Sequence, residues 1–253
     1  MAAEQLSFRL DPALPVAGPV APMWPVPRLD AFDSPDHLFE PTWGGHRVIA
    51  FVGPAEQPGT GDVRLMDPTG LDLATRLPEL RGLGVRVAAR SAVLDGELVV
   101  VDGAGRADDE ALRLRLNGGA GRPVALLVFD ILHLDGVWLL RTPLEKRRAT
   151  LKKALRPGDE VVVVPAIAGE GRALHDAVSA QGIAGVLARR RTSPYLPGVR
   201  SKLWRSIVAA EPGSAPAAPA SETSDAAIDG GATAPVLALF RRLPFDEDAE
   251  SEA

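Results

Sequence analysis

The groups from which chemistry could be built are few in this chain. It has no cysteine, and its four histidines (His37, His46, His133, His175) lie too far apart for a local metal-binding motif. Disulfides and thiolate zinc sites are excluded, no metal ligand set is expected, and a reducing, cytoplasmic setting follows. Of 28 basic residues only four are lysine: Lys146, Lys152, Lys153 and Lys202. Two short stretches hold the remaining candidates, Glu40-Pro41-Thr42-Trp43-Gly44-Gly45-His46-Arg47 and Asp95-Gly96-Glu97. The first offers a hydroxyl and an imidazole. A threonine hydroxyl has a very high pKa and attacks only beside a base, whereas an imidazole can form a P–N bond. Asp95-Gly96, taken alone, is also a turn dipeptide.

The elements that must position these groups alternate without a regular βαβ rhythm. Residues 46–53 and 62–66 read as a hairpin with a long Gly/Pro loop. Residues 92–101 are rich in Val and Leu and end at a turn through Asp102-Gly103, and 124–132 read as a buried strand. Thr142-Pro143-Leu144-Glu145 predicts a helix start, with Thr142 as N-cap, and the helix runs to about Leu155 with Leu144, Leu151 and Leu155 on one face. A short strand at 161–164, a helix at 172–181 closed by Gly182, and a strand at 185–190 follow. The pattern is α+β with mostly antiparallel sheets flanked by helices.

Read in order, several segments resemble the nucleotidyltransferase (adenylation) domain of ATP-dependent DNA ligases, with the closest likeness to the bacterial end-joining type. The first motif of that family, approximately E-P-K-W-D-G-Y-R, is matched by residues 40–47, and its D-G-E motif by Asp95-Gly96-Glu97. Phe129-Asp130-Ile131-Leu132 matches an aromatic on a core strand, and Leu144-Glu145-Lys146-Arg147-Arg148 the helix that follows. The motif E-G-V-V-A-K is matched by Ala184-Gly185-Val186-Leu187-Ala188-Arg189. Ser193-Pro194-Tyr195-Leu196-Pro197-Gly198-Val199-Arg200-Ser201 leads to Trp204-Arg205-Ser206-Ile207-Val208, where the family reads W-L-K-V-K. The resemblance covers about residues 20–208 and implies an ATP-grasp-like α+β fold.

In such ligases a lysine attacks the α-phosphate of ATP, and the AMP passes to a DNA 5′-phosphate. Thr42 stands where that lysine belongs, Gly44 where the motif has aspartate, Ala184 where it has a metal-binding glutamate, and Ser206 and Val208 where it has two lysines. Pro68 replaces an expected arginine, and Arg189 keeps the charge of a lysine. The resemblance also implies a surviving nucleoside end: Phe129 stacking on adenine, Glu97 bonding the ribose, Arg47 reaching the ribose or α-phosphate, and Glu40 beside the base. Phe129 reads equally well as plain core. Trp43 and Trp204 read as packing residues, and Arg189-Arg190-Arg191 as a run that faces DNA or as a solvated strand end, the near-neutral body favouring the latter. ATP or AMP is the implied ligand, with magnesium only through the nucleotide.

Composition adds limits. From Ala209 onward the chain has nine acidic and two basic residues, leaving 26 basic and 24 acidic in the remainder. A near-neutral body supplies no strong field for unaided DNA binding. Residues 1–30, broken by Pro15, Pro19, Pro22, Pro25 and Pro27, read as a Pro-rich lead-in, an extended strap rather than a signal peptide, and no stretch reads as a membrane span. Residues 31–208 form the expected adenylation domain, 209–235 a disordered linker, and 236–253 a short apolar segment with an acidic end, too short together for an OB-fold. Val236-Leu237-Ala238-Leu239-Phe240 resembles the sliding-clamp peptide Q-L-x-L-F. The leading expectation is a ligase-like pseudoenzyme, accessory to DNA repair through DNA or repair proteins. An adenylyltransferase with another nucleophile or a partner-supplied OB domain, and an interaction module with a vestigial pocket, remain as alternatives.

Overall fold

The computed structural model describes residues 18–209. The clamp-like segment, the acidic end and all but one residue of the expected linker lie outside them.

Two sheets form the body. In chain order the elements are β1 (Trp24–Pro27), β2 (Ser34–Thr42), β3 (His46–Val52), β4 (Val63–Met66), a 3-10 turn at Pro78–Gly82, α1 (Leu83–Arg86), β5 (Ala92–Val99), α2 (Asp109–Leu116), β6 (Ala125–Leu134), β7 (Val137–Trp138), α3 (Leu144–Ala154), β8 (Val161–Val163), β9 (Ile167–Gly169), α4 (Gly171–Ala180), β10 (Gly185–Arg190) and β11 (Arg200–Val208). The first sheet has the order β1-β11-β10-β2-β9, and the second β4-β3-β5-β6-β7, with β8 beside β6. Only β1–β11 and β6–β8 run parallel. The expected α+β, mostly antiparallel architecture is thus present. No helix among the described residues is long and apolar enough to cross a membrane.

β5 (AVLDGELV) is buried at every position and β6 (ALLVFDILHL) at all but its last, so both read as continuous apolar runs and lie at the centre of the second sheet. Their polar members Asp95, Glu97 and Asp130 are carried inward with them. One core cluster packs α1, α2 and α3 against this sheet through residues such as Leu83, Leu112, Leu151, Leu94 and Leu126. A second joins Phe39, Val186 and Ile207 of the first sheet and Leu174 of α4 to Leu127 and Phe129 of the second. Trp43 and Trp204 are buried, as packing residues should be.

Four features depart from the sequence expectation. Residues 24–27, inside the presumed lead-in, pair with β11 as an edge strand, where Pro25 and Pro27 are tolerated. α3 is capped by Pro143 rather than Thr142, with no side-chain cap bond. Its first N–H groups are instead satisfied from outside: Leu144 donates to the Ser193 carbonyl and Glu145 to that of Arg191, each at 3.0 Å. α2 was not expected from its charged sequence; Asp108 caps it, accepting from Ala111 N at 2.9 Å. Finally, Arg189-Arg190-Arg191 is not uniformly solvated: Arg189 is fully buried, because strand alternation points it inward and Arg190 outward.

Candidate functional site

The first motif runs off the end of β2, turns through Gly44 and Gly45, and enters β3. A Cβ at Gly45 would lie 2.2 Å from the Leu98 carbonyl oxygen, so only glycine lets this turn close onto the second sheet. Gly44 has φ +70°, and a Cβ there would approach the Ala184 Cβ to 3.3 Å. The two positions that lost a carboxylate relative to the family motifs are therefore neighbours in space. Both are now nearly without side chain.

Glu97 of β5 holds this turn in place. Its carboxylate accepts from the Trp43 N–H at 2.9 Å, the Gly45 N–H at 3.1 Å and the Thr42 hydroxyl at 3.1 Å. Burial pushes the Glu97 carboxyl above its usual range, against the opposing pull of the Trp43 N–H, the Thr42 hydroxyl, Arg47 and the Gly45 N–H. The side chain expected to meet a ribose is thus already occupied in clamping residues 42–45.

A cavity of about 190 Å³ lies between the two sheets at this turn. Glu40, Thr42, Gly44, Arg47, Glu97, Phe129 and Ser206 all line it, so most of the motif residues singled out in the sequence converge on one place. Arg189 and Ala184 do not line it, and Val208 is largely exposed at the end of β11. Neither His46 nor Lys202 reaches it: the His46 imidazole lies 3.7 Å from Asp67, and Lys202 lines another groove. The cavity is smaller than the roughly 300–1,000 Å³ usual for small-molecule sites.

Behind its lining residues lies an ion-pair network. Arg47 grips Asp95 in a two-bond fork at 2.6 and 2.7 Å, and Asp95 also accepts from the Tyr195 hydroxyl at 2.6 Å. Burial would lower the Arg47 pKa, but Asp95 outweighs it and raises the value. Arg189 donates to Glu40 at 2.6 Å, to the Phe129 carbonyl at 2.7 Å and to Asp130 at 3.1 Å. Arg147 forks onto both oxygens of Asp130 at 2.8 Å, and Arg148 pairs with Glu40. The Phe129 ring has the Arg47 guanidinium 4.5 Å from its centroid and that of Arg189 at 5.2 Å. The ring is buried in the core, and two guanidiniums already lie over it.

Sequence reasoning missed Asp95 and Asp130 as anchors of this network, and Arg147 and Arg148 as its cations. The signal was there: paired arginines in Leu144-Glu145-Lys146-Arg147-Arg148, and acids inside two otherwise apolar strands. For magnesium the residues do not fit. Gly44 and Ala184 bring no oxygen to the turn, and among the described residues no three His, Asp or Glu are grouped to hold a metal ion.

Comparison with known proteins agrees with the motif order. The family described as ATP dependent DNA ligase domain matches residues 29–207. The multifunctional non-homologous end joining protein LigD of Mycobacterium bovis is 34% identical over 166 residues, which are 66% of this chain and 21% of that protein. A DNA ligase of Methanothrix thermoacetophila is 34% identical over 160 residues, 58% of this chain and 28% of that one. Among solved structures, mycobacterial DNA ligase D complexed with ATP and MES superposes with a TM-score of 0.63 at 32% identity, covering 75% of this chain and 60% of the other. This chain thus spans between a fifth and a third of the length of these two relatives.

Proposed function

The chain belongs to the ATP-dependent DNA ligase domain family, and from that premise we propose that it is a non-adenylating member, a domain that accepts the nucleoside end of ATP or AMP and serves DNA end joining through other components. The observation that carries the proposal is Thr42. It stands at the cavity in place of the lysine nucleophile, with its hydroxyl directed to Glu97. Even if a threonine ester formed, it would be a poor AMP donor, because a phosphoramidate leaves through its protonated nitrogen and an ester oxygen gains less. Loss of one preorganised electrostatic group commonly costs roughly 3–4 kcal/mol in a transition state. Here Gly44, Ala184, Ser206 and Val208 are all changed beside the nucleophile.

The proposed ligand follows from what lines the cavity. Phe129, Arg47, Glu97 and Glu40 suit a base and a sugar, and the cavity's size leaves phosphates at its mouth. A base that stacks on Phe129 exchanges with a guanidinium already there. Arg189, buried against Glu40 and Asp130, supports the wall rather than a phosphate. Titration calorimetry with AMP and ATP tests the proposal. The expected result is weak binding of both, unchanged by magnesium; magnesium-dependent binding of ATP alone would overturn it.

One contact favours a second reading. The Thr42 hydroxyl and the Glu97 carboxylate, 3.1 Å apart with Glu97 raised in pKa, have the geometry of a nucleophile and its base. On that reading the Thr42 hydroxyl gives its proton to Glu97 and attacks the α-phosphate of ATP, pyrophosphate leaves as the α–β bond breaks, and mapping of an AMP adduct to Thr42 would select it.

A further inference from the structure

The first sheet has a second concave surface, on the side away from the cavity. Ser206 of β11 faces the cavity while Arg205, its neighbour along the strand, faces outward. On β10, Arg190 faces outward beside its cross-strand partner His37 on β2. Together with Arg28, Phe32 and Lys202 these residues line a groove of about 310 Å³. No carboxylate lines it.

The cations in this groove are not ion-paired among the described residues. At least ten other arginines of the described residues lie within 4 Å of an acid, Arg189 and Arg191 on either side of Arg190 among them. Arg28, Arg190, Lys202 and Arg205 have no such partner among the described residues. Burial holds the His37 imidazole below its ordinary value, with Arg190, Arg205 and Arg28 adding to the effect and exposed Asp36 opposing it. Four converging cations repel one another and cost the fold stability unless an anion joins them. β11 also carries its charge on the other side from the motif it resembles. The two lysines of that motif fall at Ser206 and Val208, whereas here the cation stands one residue before the first of them, at Arg205.

We propose that this outer groove is a phosphate-binding site, distinct from the cavity, which takes either the backbone phosphates of a nucleic-acid strand or those of a free polyphosphate. Arginine forks suit phosphate oxygens, and the shallow groove lets several phosphates meet several cations at once. The inference does not rest on nucleotide binding between the sheets.

The test uses the full chain with two probes, a labelled 12-nucleotide single-stranded DNA read by anisotropy and inorganic tripolyphosphate read by calorimetry, from about 50 to 200 mM salt. The double variant Arg190→Glu/Arg205→Glu is compared with Arg81→Glu/Arg113→Glu, which makes the same charge change at exposed sites elsewhere. The expected result is at least a tenfold loss of binding in the first variant only. For the DNA, the slope of log affinity on log salt should also become shallower by about 1.4, since each single-strand phosphate contact contributes roughly 0.7. Loss of DNA binding assigns the groove to a backbone; loss confined to tripolyphosphate assigns it to free phosphate. If neither probe binds, or both double variants weaken binding equally, the proposal is overturned. Should the glutamate variant not fold, Arg190→Gln/Arg205→Gln gives the same readout.

Discussion

The two sides of β10 and β11 treat arginine in opposite ways. Inward, Arg189 is fully buried, and the guanidiniums of Arg47, Arg147, Arg148 and Arg189 are matched by Asp95, Asp130 and Glu40. Outward, Arg190 and Arg205 stand with Arg28 and Lys202 and have no acid beside them among the described residues. A charge taken out of water must bring its partner with it, whereas a charge at a groove can wait for a ligand. The inner arginines are therefore each held by an acid, whereas the outer ones have none within 4 Å among the described residues. The difference sits one residue apart along a strand.

The largest expected effect is on the inner side. Asp130→Ala leaves Arg147 without its fork and removes one partner of Arg189, so it should cost about 3–5 kcal/mol in urea unfolding. A cost under about 1 kcal/mol would mean that water reaches these guanidiniums and that the contrast between the sides is false. Glu97→Ala should cost less, about 1–3 kcal/mol, by orphaning the N–H groups of Trp43 and Gly45; it should also abolish any AMP binding in calorimetry. On the outer side, Arg190→Glu/Arg205→Glu should cost no stability in urea unfolding, because no acid partner is lost and repulsion with Arg28 and Lys202 is relieved.

A smaller effect concerns pH. The folded-state pKa of His37 lies below its ordinary value, so protonation opposes folding. Its contribution is fully present above that ordinary value and is lost as pH falls through the folded one. In Arg190→Gln/Arg205→Gln the His37 titration followed by NMR should move upward; an unmoved midpoint would show that burial alone sets it. The last prediction is of no effect. Thr42→Lys should gain no nick-sealing activity in a gel assay, since Gly44, Ala184, Ser206 and Val208 remain. Sealing by that single variant would make the lysine the sole deficit.

Much of this was legible in the sequence where one physical rule dominated. The apolar runs of β5 and β6, the β3–β4 hairpin, α3, and α4 with its closing Gly182 follow from periodicity and capping. The motif order placed seven of the singled-out residues at one cavity. What could not be read depended on neighbours far apart in sequence. β2 contains Pro35 and Pro41, and is a strand because β10 and β9 flank it. The N-cap of α3 moved from Thr142 because residues 191–193 satisfy the helix start. Arg189, Glu97 and Arg47 carry the types that bind a nucleotide, but tertiary contacts bind them to Glu40, the 42–45 turn and Asp95. Residue type signals chemistry, and only the fold says whether a group is already engaged.

The central claim, that this family member lacks a working nucleophile, is tested most directly by the intact mass of the purified chain after incubation with ATP and magnesium. The account predicts the unmodified mass at every time point. Appearance of one AMP on the chain, mapped to Thr42 or to any other residue, would contradict it.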